Sequence, residues 1–544
     1  MTCTFPNWML ATAAPISSGV TACFAALLVA LILCLALEEK LHAKKSVIAG
    51  LFAIICLFLG AATHVLPFGK VVVGSDLVLE HPAVELEVEN GDTQQHLTLP
   101  AEHGRPAQHS ENNQDAPDDE RAAERRAETE RAEHETPHLF VDGEQVAMPV
   151  YIPGIDWGVI AIILGSSLFV DVTSKSGLFT WIAIRVTKSS GGDPRRLLWM
   201  YGLMTVVFSA VLNNVTAMII VGSLTAVSLD KLQRKDKLLG FLLIEGLLTN
   251  IGGLLTLISS VPNIIVGTKA GISFVTFFVK AAPFVVIATA LTLWLGARLF
   301  KIESLGSDED RERAKRQVAG FDENDGVESV GFFWFGTVML VLFILTIATT
   351  SVLPYISDLG MGFVALGFAG VMLIRYKSEV DRFYRAVDWD LLGFFMALFV
   401  VIYVMEHARV LHAIGVGLRQ VVTQIDLMPA DWRDTTVLLW GAAAFSSVTD
   451  NIPLAAMLSN ILGTLGAPTA AGGGAESALW WSVVFGANLG GNLTPIGSAS
   501  TLVAVTIMHK HELPMTFGAF VKTAFPYALL QLGLATIYVL VALR

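Results

Sequence analysis

The sequence is poor in the residues from which soluble chemistry is built. It has four cysteines in 544 residues, and Cys3, Cys23, Cys34 and Cys56 all fall within the first 56 positions, mostly inside apolar runs. They have no metal-ligand spacing and read as packing or lipid-facing residues, not as a disulfide framework. No GxSxG or Walker A sequence is present, and the acids inside apolar stretches are not paired as a hydrolase dyad requires, which argues against an enzyme or a resident cofactor. Positive charge is scarce: 36 Lys+Arg against 48 Asp+Glu, a net charge of −12. No basic patch suits nucleic acid. The acidity is itself local, because residues 67–155 hold 19 Asp+Glu and 6 Lys+Arg and leave the rest of the chain close to neutral.

What the chain has in quantity is apolar sequence. It is 53% hydrophobic with a mean hydropathy of +0.61, and many runs reach the roughly 18 residues that cross a bilayer. The expected fold is therefore an all-α polytopic membrane protein. The first apolar run, about Gly19–Leu37, has no basic segment before it and reads as a retained helix, not a signal peptide.

Residues 1–66 hold two helices. The acidic insertion at 67–155 has a middle, 101–138, whose composition suits disorder or a solvated helix, and edges whose alternation suits a few strands. Its histidines read as solvated surface. Residues 156–300 contain a helix from Trp157 to Asp171, an amphipathic continuation to Lys188, a hairpin at 197–229, a broken helix at 238–270 and a helix at 274–300. A charged linker at 301–330 follows. Residues 331–544 repeat the list, with helices at 331–350, 361–374 and 391–405, a hairpin at 434–465, a broken helix at 478–508 and a last helix at 516–543.

The repeat is visible in two polar cassettes set in apolar sequence. Asn213-Asn214 matches Asp450-Asn451 at an offset of 237, and Asn250-Ile251-Gly252-Gly253 matches Asn488-Leu489-Gly490-Gly491 at 238. In the first hairpin about 16 apolar residues precede the polar tip, an arm of about 24 Å, short of the ~30 Å hydrocarbon core. Basic clusters bound both ends, so a re-entrant hairpin with its tip at Asn213–Thr216 fits better than two short spans. The second tip falls at Thr449–Ile452, and the helix interruptions at Thr256–Asn263 and Thr494–Thr501. Five spans per half is an odd number, so the second repeat must be inverted. By the positive-inside rule both termini and the insertion lie outside the cell (inner) membrane.

Tips and breaks leave backbone carbonyl and amide groups without intrahelical partners. Carbonyls with Asn, Ser and Thr oxygens suit a hard cation, and half-helix N-termini suit anions. The candidate ion-binding residues are Asn213, Asn214, Thr216, Asn250, Ser260, Asn263, Thr449, Asp450, Asn451, Asn488, Asn492, Thr494, Ser498, Ser500 and Thr501. Sodium is expected at Asn214, Asp450 and Asn451. Asp450 is the one carboxylate in either tip, where the first repeat has Asn213. Proton and cation would compete for it, which is sufficient for exchange. Glu245 is a second intramembrane acid and a candidate for proton coupling. Asp171, near the end of its expected helix, reads as an interface or ion-pairing residue.

At these cassettes (LNNVTAM, TNIGG…PN, SSVTDNIP and ANLGGNLTPIGS) the sequence resembles the ion transporter superfamily. It is most similar to the branch of arsenite permeases, NhaD-type sodium/proton antiporters and the melanosomal P protein, with its citrate-transporter-like domain. The resemblance covers about 157–540 and, more weakly, the two leading helices. It implies inverted repeats with re-entrant hairpins and broken helices, a homodimer, and an elevator-like movement of a transport domain against a scaffold. In the related dicarboxylate branch, Ser-Asn-Thr signatures bind sodium and carboxylate. Here the tips read Asn-Asn-Val-Thr and Thr-Asp-Asn-Ile, and the extra acid makes an organic dianion less comfortable. Sodium/proton antiport of a small inorganic ion is the first expectation. Arsenite, antimonite or other inorganic anion efflux and sodium-coupled citrate or dicarboxylate uptake are the alternatives, and a membrane-anchored sensor is the alternative of another class. Deleting residues 75–150 separates the classes: a transporter keeps its flux in proteoliposomes, whereas a sensor built on the acidic segment loses its response.

Overall fold

The computed structural model describes residues 16–41, 43–66, 152, 154–377, 380–423, 430–449, 451–469 and 473–543, with short strands between 71 and 146. Two compact units are present, residues 67–152 and the remainder. In the first, the backbone forms three antiparallel pairs. β1 (Val71–Val72) pairs with β6 (Gln145–Val146), β2 (Leu77–Val78) with β5 (Phe140–Val141), and β3 (Glu85–Asn90) with β4 (Thr93–Thr98). The stretch 101–138 lies outside the described residues.

The second unit is all-α. Its first half contains α1 (Ser18–Ala36), α2 (Lys45–Ala62), α3 (Trp157–Lys175), α4 (Leu178–Ser189), α5 (Pro194–Val211), α6 (Asn214–Lys231), α7 (Leu238–Gly252), α8 (Val261–Ala270) and α9 (Phe274–Leu299). The linker carries α10 (Asp308–Ala319). The second half contains α11 (Val330–Thr349), α12 (Ile356–Arg375), α13 (Val380–Ala386), α14 (Trp389–His407), α15 (Val410–Arg419), α16 (Trp432–Val448), α17 (Asn451–Thr464), α18 (Ala478–Gly490), α19 (Ala499–Lys510) and α20 (Phe517–Ala542). Among the described residues, eight helices are long and apolar enough to cross a membrane: α1, α2, α3, α9, α11, α12, α14 and α20. The arms of the first hairpin, α5 and α6, have 18 residues each but are less apolar, and those of the second are shorter. The 14 residues of α17 reach about 21 Å at 1.5 Å per residue.

The same local devices recur in the two halves. Asp156 caps α3 and Asp388 caps α14, each accepting from the amide three residues on. Gly177 (φ 81) opens α4 and Arg409 (φ 58) opens α15, both in the left-handed region. Ser273 and Thr516 cap α9 and α20, and each of these helices has 26 residues and an internal proline, Pro283 or Pro526.

The helix breaks begin three residues earlier than their polar runs suggest. α7 ends at Gly252 and α18 at Gly490, at the glycine pairs, and the second halves start at Val261 and Ala499. Pro262 is the second residue of α8, where its missing N–H costs nothing because the first-turn amides lack partners anyway. Asn263 and Thr501 thus belong to first turns. α3 also runs past Asp171 to Lys175.

The linker is more structured than a charged loop. α10 has no long apolar run to announce it, but Ser307 caps it, three acids fill its first turn and Arg316 lies in its last, which suits the helix dipole. Beyond it, Glu323 pairs with Lys188 and lies 3.4 Å from Arg185. The hydrogen bond from Lys188 holds the Glu323 carboxyl below its ordinary range.

Helices are pressed together at glycines. A Cβ built on Gly490 would lie 2.3 Å from the Ala443 carbonyl oxygen, and one on Gly252 would lie 2.7 Å from that of Val206. These are equivalent positions in the two halves, and both neighbours are backbone that cannot step aside. Gly490→Ala should therefore destabilise the protein by about 1–3 kcal/mol through overpacking. Gly533→Ala, with nothing within 4 Å, should leave the melting temperature in detergent unchanged. Equal melting of the two variants would contradict the packing.

Candidate ion site between two helix breaks

A cavity of about 310 Å³ lies where both tips and both breaks meet. Asn213, Asn214 and Thr216 line it from the first tip, Ser259 and Ser260 from the first break, Asn451 from the second tip, and Ser498 and Ser500 from the second break. Asn250 lines it from α7. The opposite wall is built from α3 and the start of α14, with Ser166, Ser167, Asp171, Asp388 and Leu391. Among the described residues that line it are two carboxylates and no basic side chain. Asp450, between Thr449 and Asn451, lies outside the described residues.

The two breaks are held by bonds exchanged between repeats. Asn250 Nδ2 donates to Ser498 Oγ (2.9 Å) and Asn492 Oδ1 (2.8 Å), while its Oδ1 accepts from Ser500 Oγ (3.2 Å) and Asn214 Nδ2 (3.3 Å). Its counterpart Asn488 accepts from Ser260 Oγ (2.7 Å) and donates to Asn263 Oδ1 (2.9 Å) and the Val484 carbonyl (2.8 Å). Asn250 with Ser498 and Asn488 with Ser260 are the same pair seen from either repeat. Each amide of one half holds the serine that precedes the second half-helix of the other. Both amides spend their donors, so both are fixed in orientation.

A second pair of contacts repeats within each half. Ser209 Oγ donates to the Thr249 carbonyl (2.6 Å), and Ser446 Oγ to that of Ala487 (2.5 Å). Thr256 Oγ1 donates to the Ala210 carbonyl (2.6 Å), and Thr494 Oγ1 to that of Ser447 (2.5 Å). These bonds tie each tip to its own break. Within the breaks, Asn263 Nδ2 donates to the carbonyls of Gly253 (2.6 Å) and Thr256 (2.9 Å), and Thr501 Oγ1 to that of Ser498 (2.8 Å).

The residues expected at the site divide in two. Asn213, Asn214, Thr216, Asn250, Ser260, Asn451, Ser498 and Ser500 line the cavity. Asn263, Asn488, Asn492, Thr494 and Thr501 are buried behind it and serve the breaks through the bonds above. Thr449 returns its hydroxyl to the Phe445 carbonyl at 2.9 Å. Glu245, wholly buried, is away from the cavity wall.

Sequence reasoning missed three contributors. Asp171 was expected at a helix end, but α3 continues beyond it and turns it to the cavity. Asp388, the residue before α14, caps that helix and lines the cavity. Gln531 sits in an apolar run of α20, accepts from Asn492 Nδ2 at 2.7 Å and donates to Thr292 Oγ1 at 3.0 Å, tying the second break to α9 and α20. A buried amide in such a run was the available signal. The stretch His134-Glu135-Thr136-Pro137-His138, outside the described residues, spells the two-histidine pattern of zinc proteases. That pattern acts on a helix, which Pro137 opposes.

Residues 137–484 match the protein-family model described as citrate transporter. The 46 kDa membrane protein of Mycobacterium leprae is 30% identical over 390 residues, 71% of this chain and 86% of that protein. The human P protein is 24% identical over 478 residues, 74% of this chain and 56% of that protein. Among solved structures, the YdaH transporter of Alcanivorax borkumensis shares the fold with a TM-score of 0.50 and 13% identity, covering 91% of this chain and 98% of that one.

Removing either exchanged amide leaves buried hydroxyl and amide groups unpaired, at a cost of about 1–3 kcal/mol. Asn250→Ala and Asn488→Ala should each lower the melting temperature in detergent, and by similar amounts because the two sites are equivalent. A large loss in one with none in the other would contradict the exchange.

Proposed function

The chain belongs to the citrate transporter family, and on that premise we propose that it is a sodium- and proton-linked secondary transporter of small ions, working by alternating access. Its relatives are multi-pass membrane transporters. One observation carries the finer reading: among the described residues, the cavity wall holds Asp171 and Asp388 and no basic side chain. Asp450 adds a third acid to the second tip in the sequence. Asp388 caps α14 at its exposed start, but Asp171 lies within α3, and a carboxylate inside a span is costly unless a cation or a proton neutralises it; one carboxylate cannot hold both. Sodium bound at Asn214, Asp450 and Asn451 would thus be released as a proton arrives, and the reverse, which is antiport.

The cavity also supports alternating access, because its wall is one-sided. Asp171 and Asp388 line it, whereas the positions equivalent to them in the other repeat, Tyr403 and Asp156, do not. With inverted repeats, the opposite state opens towards those positions. In the elevator form of this cycle the tips and breaks (α5–α8 and α16–α19) move together against α1–α3 and α11–α14, in a homodimer. The loop charges favour termini and insertion outside the cell membrane.

A second reading has its own support. The N-termini of α6, α8, α17 and α19 all end at the cavity. Four such ends favour an anion, and 310 Å³ exceeds what a bare sodium ion needs. The passenger would then be an inorganic oxyanion or a carboxylate such as citrate, carried with sodium.

Reconstitution separates these readings. Asp450→Asn should abolish pH-dependent sodium exchange in proteoliposomes while the protein still inserts, and exchange at the wild-type rate would remove the role given to Asp450. Sodium-stimulated citrate accumulation by the wild type would favour the second reading over antiport.

A further inference from the structure

We infer that Glu245 is a proton-binding site of its own, apart from the ion cavity, reached from the α4–α5 turn through the hydroxyl of Tyr201. The inference rests on the proton linkage proposed above and says where one proton sits and how it arrives.

Glu245 is fully buried in α7, five residues before Asn250, or about 7.5 Å along the helix axis. Its Oε1 accepts from Thr225 Oγ1 at 2.6 Å, and its Oε2 has no hydrogen-bond partner among the described residues. Other buried threonines here turn their hydroxyls back to a carbonyl four residues earlier, as Thr187 does to Ala183 and Thr205 to Tyr201. Thr225 donates to the acid instead. One oxygen of the carboxyl therefore meets a hydroxyl that can exchange a proton with it, and the other is left without a partner. A residue that only packed α7 against α6 would need no such group, and α18 has Val483 at the equivalent position.

A column of hydroxyls leads away from it. Ser228 lies one turn beyond Thr225 on the same face of α6. Its Oγ is 2.7 Å from the Tyr201 hydroxyl on α5, which is 2.6 Å from Thr187 Oγ1 on α4. Thr187, Tyr201, Thr225 and Ser228 are all at most 2% exposed. At the far end Thr187 lies in the last turn of α4, beside the exposed Ser189. Tyr201 thus joins three helices through an oxygen that a phenylalanine would lack.

Proton arrival is a sequence of equal exchanges. Along Thr187, Tyr201 and Ser228 each hydroxyl accepts one proton from the outer side and passes its own inward. One water taken up in the turn of α6 between Ser228 and Thr225 carries it on. Thr225 gives its proton to Glu245 Oε1 and takes the incoming one, and the column regains its composition once the hydroxyls rotate back. The Glu245 carboxylate becomes the neutral acid. The titratable groups nearest it in the core are two phenols, Tyr201 on α5 and Tyr527 on α20, whose hydroxyl lies close to Gly296. Arg195 and Arg196 on α5, Asp230 and Lys231 on α6, Lys280 and Arg298 on α9, His509 and Lys510 on α19, and Lys522 and Tyr538 on α20 lie towards helix ends, and α18 has none.

Infrared difference spectra of the purified full-length chain, recorded between acid and alkaline pH, test this directly. The wild type should show a protonated-carboxyl band that is missing from Glu245→Gln and retained in Tyr201→Phe. After a pH jump the band should form at least tenfold more slowly in Tyr201→Phe than in the wild type. An unchanged band in Glu245→Gln would overturn the site, and a wild-type rate in Tyr201→Phe would overturn the route. The band reports on Glu245 whether or not sodium moves, so a failure of the antiport reading would appear separately, as proteoliposomes in which sodium flux ignores pH.

Discussion

Peptide groups without helical partners must be satisfied inside the protein wherever water is absent, and most of this structure follows from that constraint. Each half interrupts one helix at a glycine pair and turns one hairpin at an Asn or Asp pair. The freed groups are then bonded by Ser, Thr and Asn side chains. The tie from Asn250 to Ser498 and the tie from Ser260 to Asn488 make each break depend on the other repeat. Neither half can form its site alone. The close approach also explains why the equivalent glycines Gly252 and Gly490 face backbone with no space for a methyl group.

On this nearly symmetric frame, several polar and acidic residues have no like counterpart in the other copy. Asn213 in the first tip corresponds in sequence to Asp450 in the second, and Glu245 in α7 has Val483 as its equivalent. Asp171 on the wall is matched by Tyr403, and Asn492, which reaches Gln531, by Leu254. The symmetric residues build the breaks, while the asymmetric ones bring the groups that titrate or extend the network to α9 and α20. That division suits a protein whose scaffold must work in two orientations while its passenger and coupling ion bind at one set of groups.

Much of this was legible in the chain itself. Bilayer length and composition revealed the long helices, and the two cassettes revealed the tips, because few sequences place Asn-Asn or Asp-Asn amid apolar residues. Polarity alone puts the breaks three residues too late. The helix in fact stops at the glycine pair, and Pro262 opens the next half-helix without disrupting it. The division of polar residues between cavity wall and supporting layer was not legible, since it depends on which repeat each amide faces. Asn488 and Asn250 each precede an aliphatic residue and a glycine pair, yet only Asn250 reaches the cavity. Gln531 and Asp171 acquire their places from tertiary packing, which no local pattern reports. The linker helix α10 was hidden because its stability comes from caps and charge order, not from an apolar face.

Two interlocked breaks enclosing an acid-walled cavity amount to one claim: cation and proton contend for the same pocket. Equilibrium binding of radioactive sodium to the purified protein, followed across pH, addresses it without requiring flux. Saturable binding that weakens as the solution is acidified is the predicted result. Absence of saturable sodium binding at every pH, or an affinity indifferent to pH, would contradict the account.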